Sequence, residues 1–313
     1  MTIKVGINGF GRIGRMAFRA IAKDFSDIQV VGINDLLDAD YLAYMLKYDS
    51  VHGWYPRKVE TADGNLVVDG ATISFTDERD PTELPWGDLG VDVVIESSGV
   101  FRSRADAGKH LTAGASQVLI SAPSSDADKT FVYGVNDEQY DPDNHVVVSN
   151  ASCTTNCLAP VAKVLHDTFG VERLMMSTIH AYTSSQSLMD TPVRKRRRGR
   201  SAAVSIVPTT TGAAKATELV IPELEGRMDG MAFRVPVEDG SVVDATVTLE
   251  KSASIEAVNE AMEAAAEGRM KGVLRVTEEA LVSRDIIGDP HSSIIDAQST
   301  MTLGDNTVKI VSW

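Results

Sequence analysis

Short apolar runs alternate with amphipathic stretches over roughly the first half of the chain. The runs are rich in β-branched residues, as in Ile3–Asn8 and Ile28–Asn34, and a segment with helical spacing, residues 11–23, lies between them. This alternation predicts parallel strands connected by helical crossovers. Residues 91–95 are too continuously apolar for a half-exposed strand, so we place them at the centre of a sheet. A further helix and a further strand are predicted at residues 104–113 and 117–121.

Between residues 57 and 75 the pattern changes to short segments with alternating polar and apolar positions. Two turn signals separate them, Asp63-Gly64-Asn65 and Asp69-Gly70. Such turns are typical of hairpins. We therefore predict antiparallel hairpins at the edge of the parallel sheet.

The second half of the chain has longer strand-like runs that cluster together, with the helical segments set apart from them. Strands are predicted at 173–183, 230–237 and 242–250, and helices at 152–169, 211–220 and 255–268. This arrangement indicates an α+β domain built on a mostly antiparallel sheet. A length of 313 residues also favours two domains. We predict the boundary between residues 151 and 152, giving domains 1–151 and 152–313.

A glycine-rich loop directly follows the first predicted strand. Residues 9–14 read Gly-Phe-Gly-Arg-Ile-Gly, a helix follows, and Asp35 ends the second predicted strand. This context predicts a Rossmann-type doubly wound domain, in which backbone amides at a helix N-terminus hold a dinucleotide pyrophosphate. Asp35 would accept hydrogen bonds from a ribose and repel a 2′-phosphate, which favours NAD over NADP. The alternative interpretation of Asp35 is an ordinary turn or helix-capping residue.

The chain has two cysteines, Cys153 and Cys157, and their C-x₃-C spacing forms neither a disulfide framework nor a complete zinc site. A free thiol in a reducing compartment is the simpler interpretation. Cys153 begins a predicted helix, whose dipole favours a thiolate, and His180 ends a strand-like run in the same domain. A nucleophile and its base are therefore indicated, although sequence does not give their separation. Cys157 is interpreted as a small buried hydrophobic residue.

Charge and targeting signals limit the classes of function. The net charge of −14 argues against a general nucleic-acid or membrane-surface role, because both partners are polyanionic. The N-terminal residues carry no secretory pattern and no apolar stretch approaches a membrane span, so a cytoplasmic location is expected. The basic run at residues 194–200 has three interpretations: a nucleic-acid patch, a solvated or ion-paired loop, and an anion site.

Residues 149–160, SNASCTTNCLAP, resemble the active-site signature of the glyceraldehyde-3-phosphate dehydrogenases. The similarity is collinear over nearly the whole chain. It also covers residues 6–15, 78–81, 96–101, 121–123, 180–183, 208–215 and 231–236.

The resemblance implies a phosphorylating, NAD-dependent enzyme of glycolysis and gluconeogenesis. Such an enzyme oxidises D-glyceraldehyde 3-phosphate with inorganic phosphate to 1,3-bisphosphoglycerate through a cysteine thioester and uses no metal. Cys153 matches the family's nucleophile and His180 the group that activates it. Cofactor-binding positions match at Gly9, Gly11, Arg12, Ile13, Asp35, Arg79 and Ser121. The inorganic-phosphate site matches at Ser152, Thr154, Thr211 and Gly212, and the C3-phosphate site at Thr183, Arg198 and Arg234. The basic run resembles the family's S-loop, which lies near the cofactor and the subunit interfaces of a homotetramer.

Three positions depart from the family pattern. Ser98 stands where threonine is usual, and Thr191 stands where many NAD-specific members have leucine. The family pattern also continues beyond Trp313 with a nicotinamide-contacting asparagine and a terminal helix, so we expect a chain that ends there to bind NAD more weakly. Two other functions remain open: an erythrose-4-phosphate dehydrogenase with the same cysteine and histidine, and an RNA- or partner-binding protein that has lost dehydrogenase activity.

Overall fold

The structure is a computed structural model and describes residues 2–313. Contacts within the chain divide it into two compact units. The first comprises the residues up to Phe131 together with Tyr140–Ala151, and the second comprises Val132–Gln139 and Ser152–Trp313. The boundary predicted from the sequence, between residues 151 and 152, places residues 132–139 in the first domain. They cluster with the second unit because Val132 is buried and Gly134 packs directly against the side chain of Val273.

The first unit is an α/β structure. Its strands are β1 (Ile3–Asn8), β2 (Ile28–Asn34), β3 (Val59–Ala62), β4 (Asn65–Val68), β5 (Ala71–Thr76), β6 (Val93–Glu96), β7 (Gln117–Ile120), β8 (Lys129–Thr130) and β9 (Val147–Ser149). Its helices are α1 (Arg12–Asp24), α2 (Ala39–Lys47), α3 (Trp86–Leu89), α4 (Arg104–Ala107) and α5 (Lys109–Thr112).

The described strands of this unit form one sheet in the order β3-β4-β5-β2-β1-β6-β7-β9-β8. All neighbouring strands from β5 to β8 pair in parallel, whereas β3, β4 and β5 pair antiparallel at the edge. The predicted parallel sheet, its edge hairpins and the central position of β6 are confirmed. The helix predicted at 104–113 is instead two short helices, because Gly108 ends α4 and glycine favours a break in helical structure.

Two facing glycines make room for the largest buried side chain of the first unit. Gly6 in β1 pairs with Gly32 in β2. A Cβ atom would lie 3.0 Å from the Trp86 ring at Gly6 and 2.9 Å from it at Gly32. The Trp86 ring therefore packs closely against the backbone of both strands, and Trp86 is 1% exposed.

The second unit is an α+β structure. Its helices are α6 (Cys153–Phe169), α7 (Ala213–Val220) and α8 (Ile255–Glu267). Its strands are β10 (Val171–Ala181), β11 (Val207–Thr210), β12 (Met228–Val235), β13 (Val242–Leu249), β14 (Leu274–Thr277), β15 (Ser293–Asp296), β16 (Met301–Leu303) and β17 (Thr307–Ser312).

The sheet of the second unit runs in the order β11-β12-β10-β13-β17-β15-β14, with β16 paired to β17. Most neighbours are antiparallel, and the parallel pairs are β10 with β12 and β14 with β15. The predicted α+β domain with a mostly antiparallel sheet is confirmed. Helix α6 packs against β10 and β13 and against helices α7 and α8, which fixes the position of its N-terminus.

Candidate active site

Cys153 is the first residue of α6. Ser152 precedes it as the N-cap, and the Ser152 hydroxyl accepts a hydrogen bond from the Thr155 amide at 3.0 Å. This bond satisfies one of the amides that no carbonyl within the helix can reach. The remaining N-terminal amides carry the positive end of the helix dipole, which favours a thiolate at Cys153.

The Cys153 sulfur lies 3.3 Å from Nε2 of His180, the penultimate residue of β10. Nδ1 of this buried histidine lies 2.7 Å from the carbonyl oxygen of Ala181. Because a carbonyl can only accept, Nδ1 carries the ring proton in the neutral histidine. The lone pair of Nε2 therefore faces the thiol and can receive its proton.

The surroundings of Cys153 lower the pKa of its thiol. Desolvation by neighbouring atoms is the largest single effect and raises the pKa, although the side chain keeps contact with solvent. The hydrogen bond and charge of His180, together with hydrogen bonds from the amide and hydroxyl of Thr154, outweigh that effect. A thiol with a lowered pKa and an open face can act as a nucleophile.

Cys157 has the opposite environment. It is buried one turn further along α6, and burial raises its pKa to about 11. Its sulfur lies 3.6 Å from the carbonyl oxygen of Ser312 and 3.5 Å from that of Trp313. The burial of Cys157 agrees with its interpretation as a small buried residue.

Arg234 lies beside the cysteine and histidine. It belongs to β12, which pairs in parallel with β10, and His180 and Arg234 are register partners. One guanidinium nitrogen, Nη1, donates to the Ala181 carbonyl at 2.9 Å and to the Thr183 hydroxyl at 3.3 Å. Desolvation and the charge of Arg198 lower the pKa of Arg234, whereas the charge on Cys153 raises it.

Arg198 lies close enough to Arg234 for its charge to lower the pKa of Arg234. It donates from Nε to Thr209 at 3.2 Å and from Nη1 to Ser185 at 3.4 Å. Within residues 2–313, the buried Nε of Arg234 has no hydrogen-bond partner. Two guanidinium groups that repel each other, one with an unused buried donor, are suited to an anion that neutralises both.

The positions predicted to bind inorganic phosphate lie at the starts of two packed helices. Ser152 and Thr154 lie at the start of α6, where both hydroxyls already make the contacts described above. Thr211 and Gly212 lie at the start of α7, and the Thr211 hydroxyl accepts from the Ala213 amide at 3.2 Å. A Cβ at Gly212 would meet no atom within 4 Å, so open space adjoins this backbone.

The first unit carries a cavity of about 390 Å³ at the carboxyl ends of β1, β2 and β6. Its lining residues are Asn8, Gly9, Gly11, Asn34, Asp35, Leu36, Glu78, Arg79, Ser97, Ser98, Val100 and Phe101. The glycine loop is closely packed here, since a Cβ at Gly9 would lie 2.5 Å from the Ser98 nitrogen and one at Gly14 would lie 2.1 Å from the Gly9 oxygen.

Helix α1 begins at this cavity with its dipole uncompensated. Gly11 provides no side-chain cap and the first turn carries no acidic residue. The N-terminal amides thus present positive charge to a phosphate. The tight glycine loop and the free helix N-terminus beside a cavity are suited to a dinucleotide pyrophosphate.

Asp35 makes a local turn contact and also lies at the wall of the cavity. Its carboxylate accepts from the Leu37 amide at 3.3 Å, as a turn residue does. It also accepts from the Phe10 amide in the glycine loop at 2.7 Å and lines the cavity. Asp35 therefore holds the loop in shape and keeps a negative charge at the cavity wall.

Two of the remaining predicted cofactor residues, Arg12 and Ile13, begin α1 after the glycine loop, whereas Ser121 follows β7. Arg12 pairs with Asp49 at 2.7 Å, Ile13 is exposed on the first turn of α1, and the Ser121 hydroxyl donates to the Glu96 carbonyl. Sequence reasoning did not single out Asn8 and Asn34. Asn8 ends β1 and Asn34 ends β2, and a polar side-chain amide at the end of two adjacent buried strands was the pattern that could have indicated them.

Residues 2–313 contain neither a helix that could span a membrane nor a cluster of side chains that could bind a metal ion. No helix there is long and apolar enough to cross a membrane. No group of three or more His, Cys, Asp or Glu side chains there could hold a metal ion.

Comparison with known proteins identifies both units. Residues 3–104 match the family model described as the NAD binding domain of glyceraldehyde 3-phosphate dehydrogenase, and residues 152–313 match its C-terminal domain. The glyceraldehyde-3-phosphate dehydrogenase of Geobacillus stearothermophilus is 58% identical over 313 residues, covering 100% of this chain and 93% of the relative. The enzyme of Priestia megaterium is 56% identical and glyceraldehyde-3-phosphate dehydrogenase 1 of Bacillus subtilis 54%, with the same coverage. The chain belongs to the glyceraldehyde-3-phosphate dehydrogenase family.

Proposed function

We propose that the chain is a phosphorylating, NAD-dependent glyceraldehyde-3-phosphate dehydrogenase. It would convert D-glyceraldehyde 3-phosphate and inorganic phosphate to 1,3-bisphosphoglycerate. The observation that carries this proposal is the Cys153–His180 pair, 3.3 Å apart, with Arg234 in register beside the histidine. An aldehyde that bears a phosphate needs a nucleophile, a base and an anion site, and this cluster offers all three.

The cysteine and histidine would act in sequence. The thiol gives its proton to Nε2 of His180, and the thiolate attacks the aldehyde carbon. Nε2 returns the proton to the resulting alkoxide and takes it back as the hemithioacetal is oxidised. NAD, when bound, supplies the hydride acceptor. An oxygen of inorganic phosphate then attacks the thioester carbon, and the Cys153 thiolate leaves as the acyl phosphate is released.

Two anion sites support the phosphorylating reaction. Thr183, Arg198 and Arg234 would hold the C3 phosphate, supported by their mutual contacts and by the unpartnered Nε of Arg234. Ser152, Thr154, Thr211 and Gly212 would hold the attacking phosphate, supported by their positions at two helix N-termini. The second site distinguishes this chemistry from aldehyde oxidation, in which water is the acceptor.

The loop of the first unit would hold the cofactor. Gly9, Gly11, Arg12 and Ile13 would surround the pyrophosphate at the start of α1, with Asp35 toward the adenosine ribose. Arg79 lines the same cavity, and Ser121 follows the neighbouring β7. The Asp35 carboxylate would repel a 2′-phosphate, which supports a preference for NAD.

We further infer a homotetramer in the cytoplasm. The second unit exposes several large apolar side chains: Met175, Leu188, Met189, Val204 and Ile206, each at least 62% exposed. Exposed apolar residues of this number favour burial between copies. The two free thiols favour a reducing compartment.

The test is NADH formation from glyceraldehyde 3-phosphate with phosphate present or omitted. We expect sustained turnover only when phosphate is present. Erythrose 4-phosphate in parallel tests the alternative substrate, and the Cys157→Ser variant serves as the control for loss of a thiol. Equal turnover without phosphate, or a clear preference for erythrose 4-phosphate, would contradict the proposal.

A further inference from the structure

A network of buried polar side chains lies beneath the cofactor cavity of the first unit. Asn34, Asn8 and Glu96 end the adjacent strands β2, β1 and β6, and Asn8 is the register partner of both others. All three are at most 5% exposed, and the fully buried His110 of α5 lies behind Glu96. Four polar side chains buried together need a complete set of hydrogen bonds, since each unmet bond costs free energy.

The direction of the hydrogen bonds begins at Trp86. Its indole nitrogen, which can only donate, lies 3.0 Å from Nδ1 of His110. Nδ1 is therefore the acceptor, and the ring proton lies on Nε2. This N–H points at Oε2 of Glu96, 2.9 Å away. Trp86 thus fixes the tautomer of a histidine that in turn fixes a carboxylate.

Glu96 is surrounded by donors. Besides His110, the side-chain amide of Asn8 donates to Oε2 at 2.5 Å, and the backbone amide of Ser98 donates to Oε1 at 2.8 Å. The Ser98 hydroxyl also donates to Oε1. Four donors therefore face the two side-chain oxygens of Glu96, and both oxygens act as hydrogen-bond acceptors.

This network of side chains reaches the cavity wall on two sides. The Asn8 oxygen accepts from the Asn34 amide at 2.8 Å, and the Asn34 oxygen accepts from the Glu78 backbone at 2.9 Å. On the other side, Ser98 is held by Glu96, and its backbone lies against Gly9 so closely that a Cβ there would clash. Asn8, Asn34, Glu78 and Ser98 line the cavity, whereas the Glu96 carboxylate and the His110 ring lie behind them.

We propose that Glu96 is a positioning residue for NAD, which sets the Gly9 loop and the Ser98 loop in their binding geometry, and that His110 holds Glu96 in place. The proposal rests on the assignment of the cavity to NAD. Glu96 and His110 act through Asn8 and Ser98 and have no part in the chemistry. Their loss should raise the dissociation constant for NAD, because loops that must be ordered on binding reduce affinity.

The test uses variants of the full chain with three readouts: the dissociation constant for NAD by calorimetry, the melting temperature without NAD, and the rate at which iodoacetamide alkylates Cys153 without NAD. Glu96→Gln keeps the shape but sets its amide against the donors of His110 and Asn8. His110→Leu removes both contacts of the ring. His110→Gln can keep both, because its amide can donate to Glu96 while its oxygen accepts from Trp86.

Asp128→Asn is the matched control. Asp128 accepts from Arg104 and from the Val146 and Val147 amides in the same unit, and it does not line the cavity. We expect Glu96→Gln and His110→Leu to weaken NAD binding by about tenfold or more, the scale of losing a hydrogen bond to a charge. His110→Gln should stay within about threefold of the parent, and Asp128→Asn should lower the melting temperature without changing NAD affinity. The alkylation rate should stay at the parent value in all four.

The proposal is overturned if Glu96→Gln lowers the melting temperature as Asp128→Asn does while NAD affinity stays at the parent value. It is equally overturned if His110→Gln is as harmful to NAD binding as His110→Leu. If His110→Leu does not fold, Glu96→Gln and His110→Gln decide the question. Because the readout is NAD binding, a parent that binds NAD but does not oxidise glyceraldehyde 3-phosphate would contradict the proposed function alone.

Discussion

At the scale of single residues, the two ring nitrogens of His180 make different contacts. Nδ1 is held by the Ala181 carbonyl, so only Nε2 is available to the thiol. His180→Asn should therefore slow turnover by roughly a hundredfold or more, the usual scale for removal of a general base. It should also shift the pH profile of Cys153 alkylation to higher pH, because a contact that lowers the thiol pKa is lost.

The direction of that shift follows from the charge of the reactive form. The thiolate reacts, and its fraction rises as the pH passes the pKa, so a lowered pKa gives alkylation at lower pH. Rates measured from pH 5 to 10 on the parent and the variant would check this. Superimposable profiles would mean that the histidine does not influence the thiol.

Asp35 supports a prediction about cofactor choice. Asp35→Ala removes a ribose acceptor and a negative charge, and it frees the Phe10 amide. We expect NAD affinity to fall roughly tenfold and NADP to be accepted better than by the parent. Titration of parent and variant with both cofactors measures this. A parent that already prefers NADP would show that Asp35 does not select the cofactor.

The sequence pointed to Cys153 and His180 but could not supply the distance between them. That distance depends on α6 packing against β10, a contact between elements rather than a local pattern. The same holds for Arg234, which stands beside His180 through the pairing of β10 with β12. The hydrogen bond between Glu96 and His110 could not be predicted from the sequence, because the two residues are 14 positions apart and belong to no motif.

At the scale of elements, the N-cap of α6 links stability to chemistry. Ser152→Ala removes the bond to the Thr155 amide and should lower the free energy of unfolding by about 1 kcal/mol. Loss of the N-cap should also loosen the first turn of α6, which contains Cys153. We therefore expect alkylation of Cys153 to slow.

Ser254→Ala is the matched control, since Ser254 caps α8 through the Ala257 amide in the same way. It should lower stability by a similar amount and leave alkylation unchanged. Urea unfolding and alkylation rates on both variants separate the two effects. Equal alkylation rates in Ser152→Ala and the parent would show that the N-cap does not influence the reactivity of the Cys153 thiol.

Long elements with a clear period were predicted with the correct type, and their ends were shifted by only a few residues. The strand predicted at 173–183 lies at Val171–Ala181, and the helix predicted at 255–268 lies at Ile255–Glu267. The failure at residues 104–113 is local, because Gly108 breaks a stretch whose apolar spacing continues through it. The placement of residues 132–139 is not local, since it depends on a contact with the distant Val273.

At the scale of the whole molecule, the apolar surface of the second unit predicts assembly. Val204 is 80% exposed, so an aspartate there costs the isolated chain little. Val204→Asp should nevertheless weaken a homotetramer, because the charge would be desolvated between copies. Sedimentation velocity of parent and variant, with circular dichroism as the control for folding, tests this. A monomeric parent, or an equally stable tetramer in the variant, would contradict the assignment of this surface.

The most direct test of the central claim is a single turnover without inorganic phosphate. The account predicts a burst of NADH of at most one equivalent per chain, together with an acyl group that mass spectrometry locates on Cys153. Added phosphate should then release the acyl group and restore steady turnover. A Cys153→Ser variant that still gives the burst, or an acyl group found on another residue, would contradict the account.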